Sequence, residues 1–199
     1  KNIYQNHSNS QIEELKKQTA LEVIQFFIER NKFYLREKFN LKPEIVNYIF
    51  EEAFFKFSQK FSNKNNIYCL FLVSKKAIII NDFVVNNDNS KIIDLYKRVG
   101  NILSIEEAKD KKQYQGNIMV NQFENDYEKL LYNKIKTVSV LVKKSLKNND
   151  YKQALNNLLQ TELAIKSFFD NVEVNCSDQK LRENRLIILS KVRDLFNLL

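Results

Sequence analysis

Between Lys129 and Asn149 the chain carries six lysines and no acid. At about 100° per residue, Lys129, Lys136, Lys143 and Lys147 fall within about 40° of one another on a helix. Such a row of cations suits a phosphate backbone, whose condensed counterions it would displace. It reads equally as a solvated face in a lysine-rich chain. Nearer the C-terminus, Arg182, Arg185 and Arg193 share a sector of about 80° with Leu189 and Phe196. Arginine can bind phosphate bidentately or stack on a base, whereas pairing with an acid such as Asp170, Glu173 or Asp178 would keep these side chains for the fold. Phe168 and Phe169 could offer a stacking surface for an unpaired base. Helical phase instead turns Phe169 inward with Leu163 and Ile165.

Other chemistries find no residues here. His7 is the sole histidine and lies in a polar terminal stretch, so it reads as a solvated side chain rather than a ligand or base. Cys69 and Cys176 stand far apart, without the paired spacing of a zinc site or a disulfide framework, which fits a reducing cytoplasm. Gly100 and Gly116 are the only glycines and cannot build a phosphate loop. The acid pairs Glu51-Glu52 and Glu106-Glu107 read as surface charge. No apolar run approaches the roughly 20 residues of a membrane span. A net charge of +8 favours polyanions.

The elements that must position these residues are helices. With 2 Gly and 1 Pro in 199 residues and 44% apolar content, long helices joined by Asn/Asp/Ser links are expected. Apolar spacing predicts helices over 11–38 and 43–60, with Pro43 in a first turn where its missing N–H costs nothing. The first should bury Leu15, Val23, Ile24, Phe27, Ile28 and Leu35. The stretch 67–85 has the β-branched and aromatic content of two strands, yet a lone hairpin is marginal in water and no other strand exists to pair with it. The residues by themselves leave strand or helix open there. A loop at 86–90 and a short helix over 91–103 follow, and the charged segment 106–116 serves as a linker. Beyond it, helices over 121–148 and 151–172 and a final helix capped by Ser177 or Asp178 form a bundle. The whole reads as all-α, with residues 1–105 a helical connecting region and 106–199 a bundle domain.

Three stretches resemble the β subunit of bacterial-type glycyl-tRNA synthetase. Phe168-Phe169-Asp170-x-Val172-x-Val174 followed by Leu181-Arg182-x-Asn184-Arg185-Leu186 is similar to the end of that subunit. Lys97-Arg98-x-x-Asn101-Ile102-Leu103 is similar to a second family motif, and Phe26-Phe27-Ile28-Glu29-Arg30 with Tyr34-Leu35 to a third, looser one. They occur in the family's order and span most of the chain.

The resemblance implies a C-terminal piece of a longer subunit, helical over 67–85 and ending in a helical anticodon-binding domain of the DALR type. Its task would be to hold tRNA(Gly) at the anticodon, in the cytoplasm and away from any membrane. The family's α subunit, its partner in a heterotetramer, carries the aminoacyl-adenylate chemistry. The ATP, glycine and magnesium sites of the holoenzyme would then lie outside this piece, which would not itself be catalytic. Candidate RNA contacts are Arg98 and Asn101, from the second motif, with Lys129, Lys136, Lys143, Lys147, Arg182, Arg185 and Arg193. Asn101 could read a base edge or pin a helix. A non-catalytic protein-interaction module and the anticodon-binding domain of an arginyl-type synthetase are the alternatives.

Overall fold

A computed structural model describes residues 9–59 and 69–199, and all regular structure among them is helical. His7, Ile67 and Tyr68 lie outside the described residues. The chain divides into two compact units at Asp82/Phe83.

The first unit is built from α1 (Asn9–Phe39), α2 (Pro43–Gln59) and α3 (Leu70–Val85), the last running three residues past the boundary. Pro43 opens α2 as expected, and the Lys42 carbonyl accepts from Ile45 and Val46 N–H. The β-branched run of α3 is helical because burial decides it: Ala77 packs on Ile28, Leu35, Val46, Ile49 and Phe50 in one core. Asn81, also buried, accepts from Lys42 N–H at 2.9 Å and ties α3 to the α1–α2 turn. The turn itself passes through Asn40 at φ 51°.

One expectation for α1 fails. Leu15, Val23 and Phe27, assigned inward by spacing, are each about half exposed, while Ile28 and Leu35 are buried. At about 1.5 Å per residue α1 is about 46 Å long and α2 about 25 Å, so no other described helix of this unit matches α1 in length.

The second unit holds α4 (Ser90–Asp110), α5 (Asp126–Lys147), α6 (Tyr151–Leu159), α7 (Glu162–Asn171) and α8 (Gln179–Phe196). Its compact body begins at Phe83 rather than at 106, because α4 does not stop at Leu103. Val99 and Leu103 are fully buried, and the last turn of α4 supplies carboxylates to α8. The segment foreseen as a linker is likewise tied down, since Tyr114 is buried and donates its hydroxyl to Asp110 at 2.5 Å.

The single helix expected over 151–172 is two. Thr161 is fully buried, and both its N–H and its hydroxyl turn back to the Leu158 carbonyl, at 2.9 and 2.7 Å. That tight turn resets the helical phase. Leu163, expected inside, is 75% exposed, while Ala164, Ile165 and Phe168 become core. Helix α8 is the centre of the unit. Residues 184–186 and 188–190 are all buried, more than one helical face can account for, so α8 is covered on several sides.

Candidate nucleic-acid interface

Helix α5 starts from a capping box. The Asn125 side chain accepts from Tyr127 and Glu128 N–H, and Glu128 reaches back to accept from the N–H of Asn125. From that fixed start Leu131, Ile135, Val138 and Val142 enter the core at spacings of four and three. The stripe sets the helix's rotation, so the row Lys129, Lys136, Lys143 and Lys147 emerges about 130° away, exposed throughout. None of these four lysines makes an ion pair among the described residues, and neither do Lys134 and Lys144 on the same helix.

Lys136 and Lys143 line a groove of about 480 Å³ between α5, the C-terminal half of α8 and the turn at Gly116–Ile118. Gly116 sits there at φ 119°, a conformation side-chain-bearing residues rarely adopt. Lys191 and Tyr132 complete the walls, and Ile135 and Leu195 give an apolar floor. Sequence reasoning missed Lys191, which joins the row only when α8 is laid beside α5, and Tyr132, which flanks the row on α5 itself. Lys129 lines a separate recess with Val120 and Phe123, and Lys147 stands in the last turn of α5.

The three arginines of α8 point the other way. Arg182 is gripped by Glu106 and by Asp110, the latter at 2.7 Å. Arg193 forks onto Glu107 with bonds of 3.0 and 2.8 Å. Arg185, 4% exposed, donates to Glu128 and Glu124 and to the Glu173 carbonyl, all at 2.9 Å. Their partners are therefore not the side chains of Asp170, Glu173 and Asp178 suggested by the sequence. Those acids are near in sequence, whereas the acids used come from α4 and the start of α5. Glu106-Glu107 is accordingly not surface charge: Glu106 is 5% exposed and also accepts from Asn175 at 3.1 Å. Glu52 likewise pairs with Lys56 and Lys76.

These contacts shift the groups involved. The Arg193 fork holds Glu107 below the usual carboxylate range, and hydrogen bonds from Arg182 and then Tyr114 do the same for Asp110. Burial, with the bond to Asp110, pushes the Tyr114 phenol up to about 12. Arg182 and Arg193 are held above their ordinary values by these carboxylates; in Arg185, burial works against the charge but the bonds to Glu128 and Glu124 outweigh it. Asn184, also buried, accepts from Met119 N–H at 2.8 Å and donates to its carbonyl at 3.1 Å. The motif Leu181-Arg182-x-Asn184-Arg185-Leu186 thus clamps α8 to α4, to the loop before α5 and to the α5 cap.

Two candidates from the second motif are outward. Arg98 and Asn101 are exposed on α4. The Arg98 guanidinium lies 4.2 Å from the centroid of the Phe169 ring. Phe168 is the fully buried core residue of the pair, so the phase expected from an unbroken helix is off by one here. Asp178 caps α8 by accepting from Lys180 and Leu181 N–H.

Comparison with known proteins supplies the family. Residues 92–199 match the DALR anticodon binding domain. Curated relatives include the glycine–tRNA ligase β subunit of Rickettsia typhi, 32% identical over 88% of this chain and 23% of that protein. The same subunit of Rickettsia prowazekii is 29% identical over 98% of this chain and 24% of its own length, and that of Rickettsia bellii 32% over 88% and 22%. The chain therefore spans about a quarter of the length of these relatives. An all-helical second unit and a match across more than half its residues agree on one assignment: the chain belongs to the DALR anticodon-binding-domain family and is similar to glycine–tRNA ligase β subunits.

Proposed function

We propose that this chain is the tRNA-gripping part of a glycine–tRNA ligase β subunit, holding the anticodon arm of tRNA(Gly) on its second unit. The observation that carries the reading is the free row on α5. Lys136 and Lys143 face one groove, beside a Lys191 that pairs with Asp194, while the arginines of α8 are spent on internal carboxylates. Lysines fix the RNA backbone through charge, and the bases of a single-stranded loop can be splayed and read on their pairing edges. Every glycine anticodon ends in two cytosines, each presenting an amino donor beside two acceptors.

In this reading glycine attachment is the work of the assembly with the α subunit, a heterotetramer in the cytoplasm, and this piece orients the tRNA. ATP, glycine and magnesium would bind elsewhere in that assembly. Among the described residues no group of three or more His, Cys, Asp or Glu could hold a metal ion, and no helix is long and apolar enough to cross a membrane.

The test is binding of a glycine anticodon stem-loop by the 199-residue chain across a salt series. Replacing Lys136 and Lys143 by alanine should lower the slope of log affinity against log salt by about 1.4 to 1.8, two cations' worth, with the preference for the anticodon cytosines intact. An unchanged slope would remove the row from the interface. Binding indifferent to both salt and anticodon sequence would favour the protein-interaction module instead.

A further inference from the structure

We propose that the cleft between α4 and α7 receives one unpaired nucleobase, stacked on a platform made by Arg98 and Phe169; this rests on the tRNA-binding reading above. The cleft encloses about 530 Å³. Of the four arginines in the second unit, Arg98 alone makes no ion pair among the described residues, and its guanidinium lies over a half-buried ring instead. A guanidinium stacked on an aromatic ring keeps its second face free, and a base can occupy that face. Leu163, turned outward by the break at Thr161 and 75% exposed, stands on the same wall and offers an apolar edge to whatever lies on the platform.

The charge of the lining says what kind of group fits. Three cations (Lys91, Arg98, Lys166) are balanced by three carboxylates (Asp94, Glu162, Asp170), so the cleft has no net attraction for a phosphate backbone. A flat, neutral group with N–H donors on its edge meets both features: its face stacks on the platform, and carboxylates are acceptor-only partners for an exocyclic amine. A nucleobase is such a group, cytosine, adenine and guanine carrying that amine. The division of labour is then physical, with the α5 groove neutralising phosphate and the α4–α7 cleft holding a ring.

The experiment uses the 199-residue chain and the glycine anticodon stem-loop, intact or with a single loop base replaced by an abasic site. Arg98→Lys keeps the charge and loses the plane. It should weaken binding of the intact loop on the order of tenfold, as should Phe169→Leu, the usual effect of losing one base stack. The salt slope of Arg98→Lys should stay at the wild-type value. For one loop position the abasic RNA should bind wild type and Arg98→Lys equally, because the stack is already gone. Both variants binding within twofold of wild type, or a penalty that persists at every abasic position, would overturn the inference while leaving the tRNA-binding reading standing. A wild-type chain that does not bind the stem-loop would bring down both. Arg98 is exposed, so Arg98→Lys keeps the fold even where Phe169→Leu does not, and circular dichroism checks each.

Discussion

Removing the Arg185 side chain should unfold the second unit far more readily than removing any lysine of α5. Arg185 is 4% exposed and Glu128 fully buried, so Arg185→Ala strands a carboxylate away from water. Breaking a buried pair from one side costs about 3–5 kcal/mol, much of it the penalty of the charge left behind. For a unit of this size that is a fall in Tm of about 12–20 °C. Since the chain has two units, the loss is best read from hydrogen exchange of α5 and α8 amides, which reports the opening free energy of the second unit by itself. The cause can be separated from simple loss of contacts. Glu128→Gln still accepts the N–H groups of Glu124 and Asn125, so Arg185→Met combined with Glu128→Gln removes the charges but keeps the α5 cap. That double variant should recover about half the loss. A cost below about 1 kcal/mol for Arg185→Ala, or no recovery in the double variant, would refute the argument that a buried ion pair holds the α5 cap to α8.

Acid should undo the α4–α8 ties. Glu107 and Asp110 titrate below the ordinary carboxylate range when folded, so their contribution is complete above that range and is lost as pH falls through the lowered values. The stability gap between wild type and Arg193→Gln should accordingly be flat near neutrality and close on acidification; a gap that survives in strong acid would contradict the assignment. Tyr114 gives the opposite sign. Its phenol is raised to about 12, so its contribution is whole below about 10 and fades as pH climbs towards 12. An ultraviolet titration should show an ionisation step at about pH 12, and Tyr114→Phe should remove it.

Helix positions were legible in the sequence wherever apolar spacing ran uninterrupted, as in α2, α5 and α8. The strand-like stretch of α3 is placed by the family resemblance, since its own residues favour strands. What failed depended on long-range information. The break at Thr161 rests on one buried hydroxyl turning back on Leu158, a local bond with no periodic signature, and it reversed the inward assignment of Leu163. The true counterions of Arg182, Arg185 and Arg193 lie 57 to 86 residues away in sequence, beyond any local pattern. The lysine row could be seen because a helix repeats. The groove it lines could not, since Lys191 and the turn at Gly116 come from elsewhere in the chain.

The inward turn of the α8 arginines bears on how this domain can diverge. The Leu181-Arg182-x-Asn184-Arg185-Leu186 motif, one of those that carry the likeness to its relatives, bolts the helices together, so it constrains architecture and leaves the outer face of α5 at liberty to drift. Kinship read from that signature thus identifies the frame and not the nucleotide it prefers. Exchanging the outward side chains of α4 and α5 between two such domains, with α8 untouched, is the direct route to redirecting which anticodon is held.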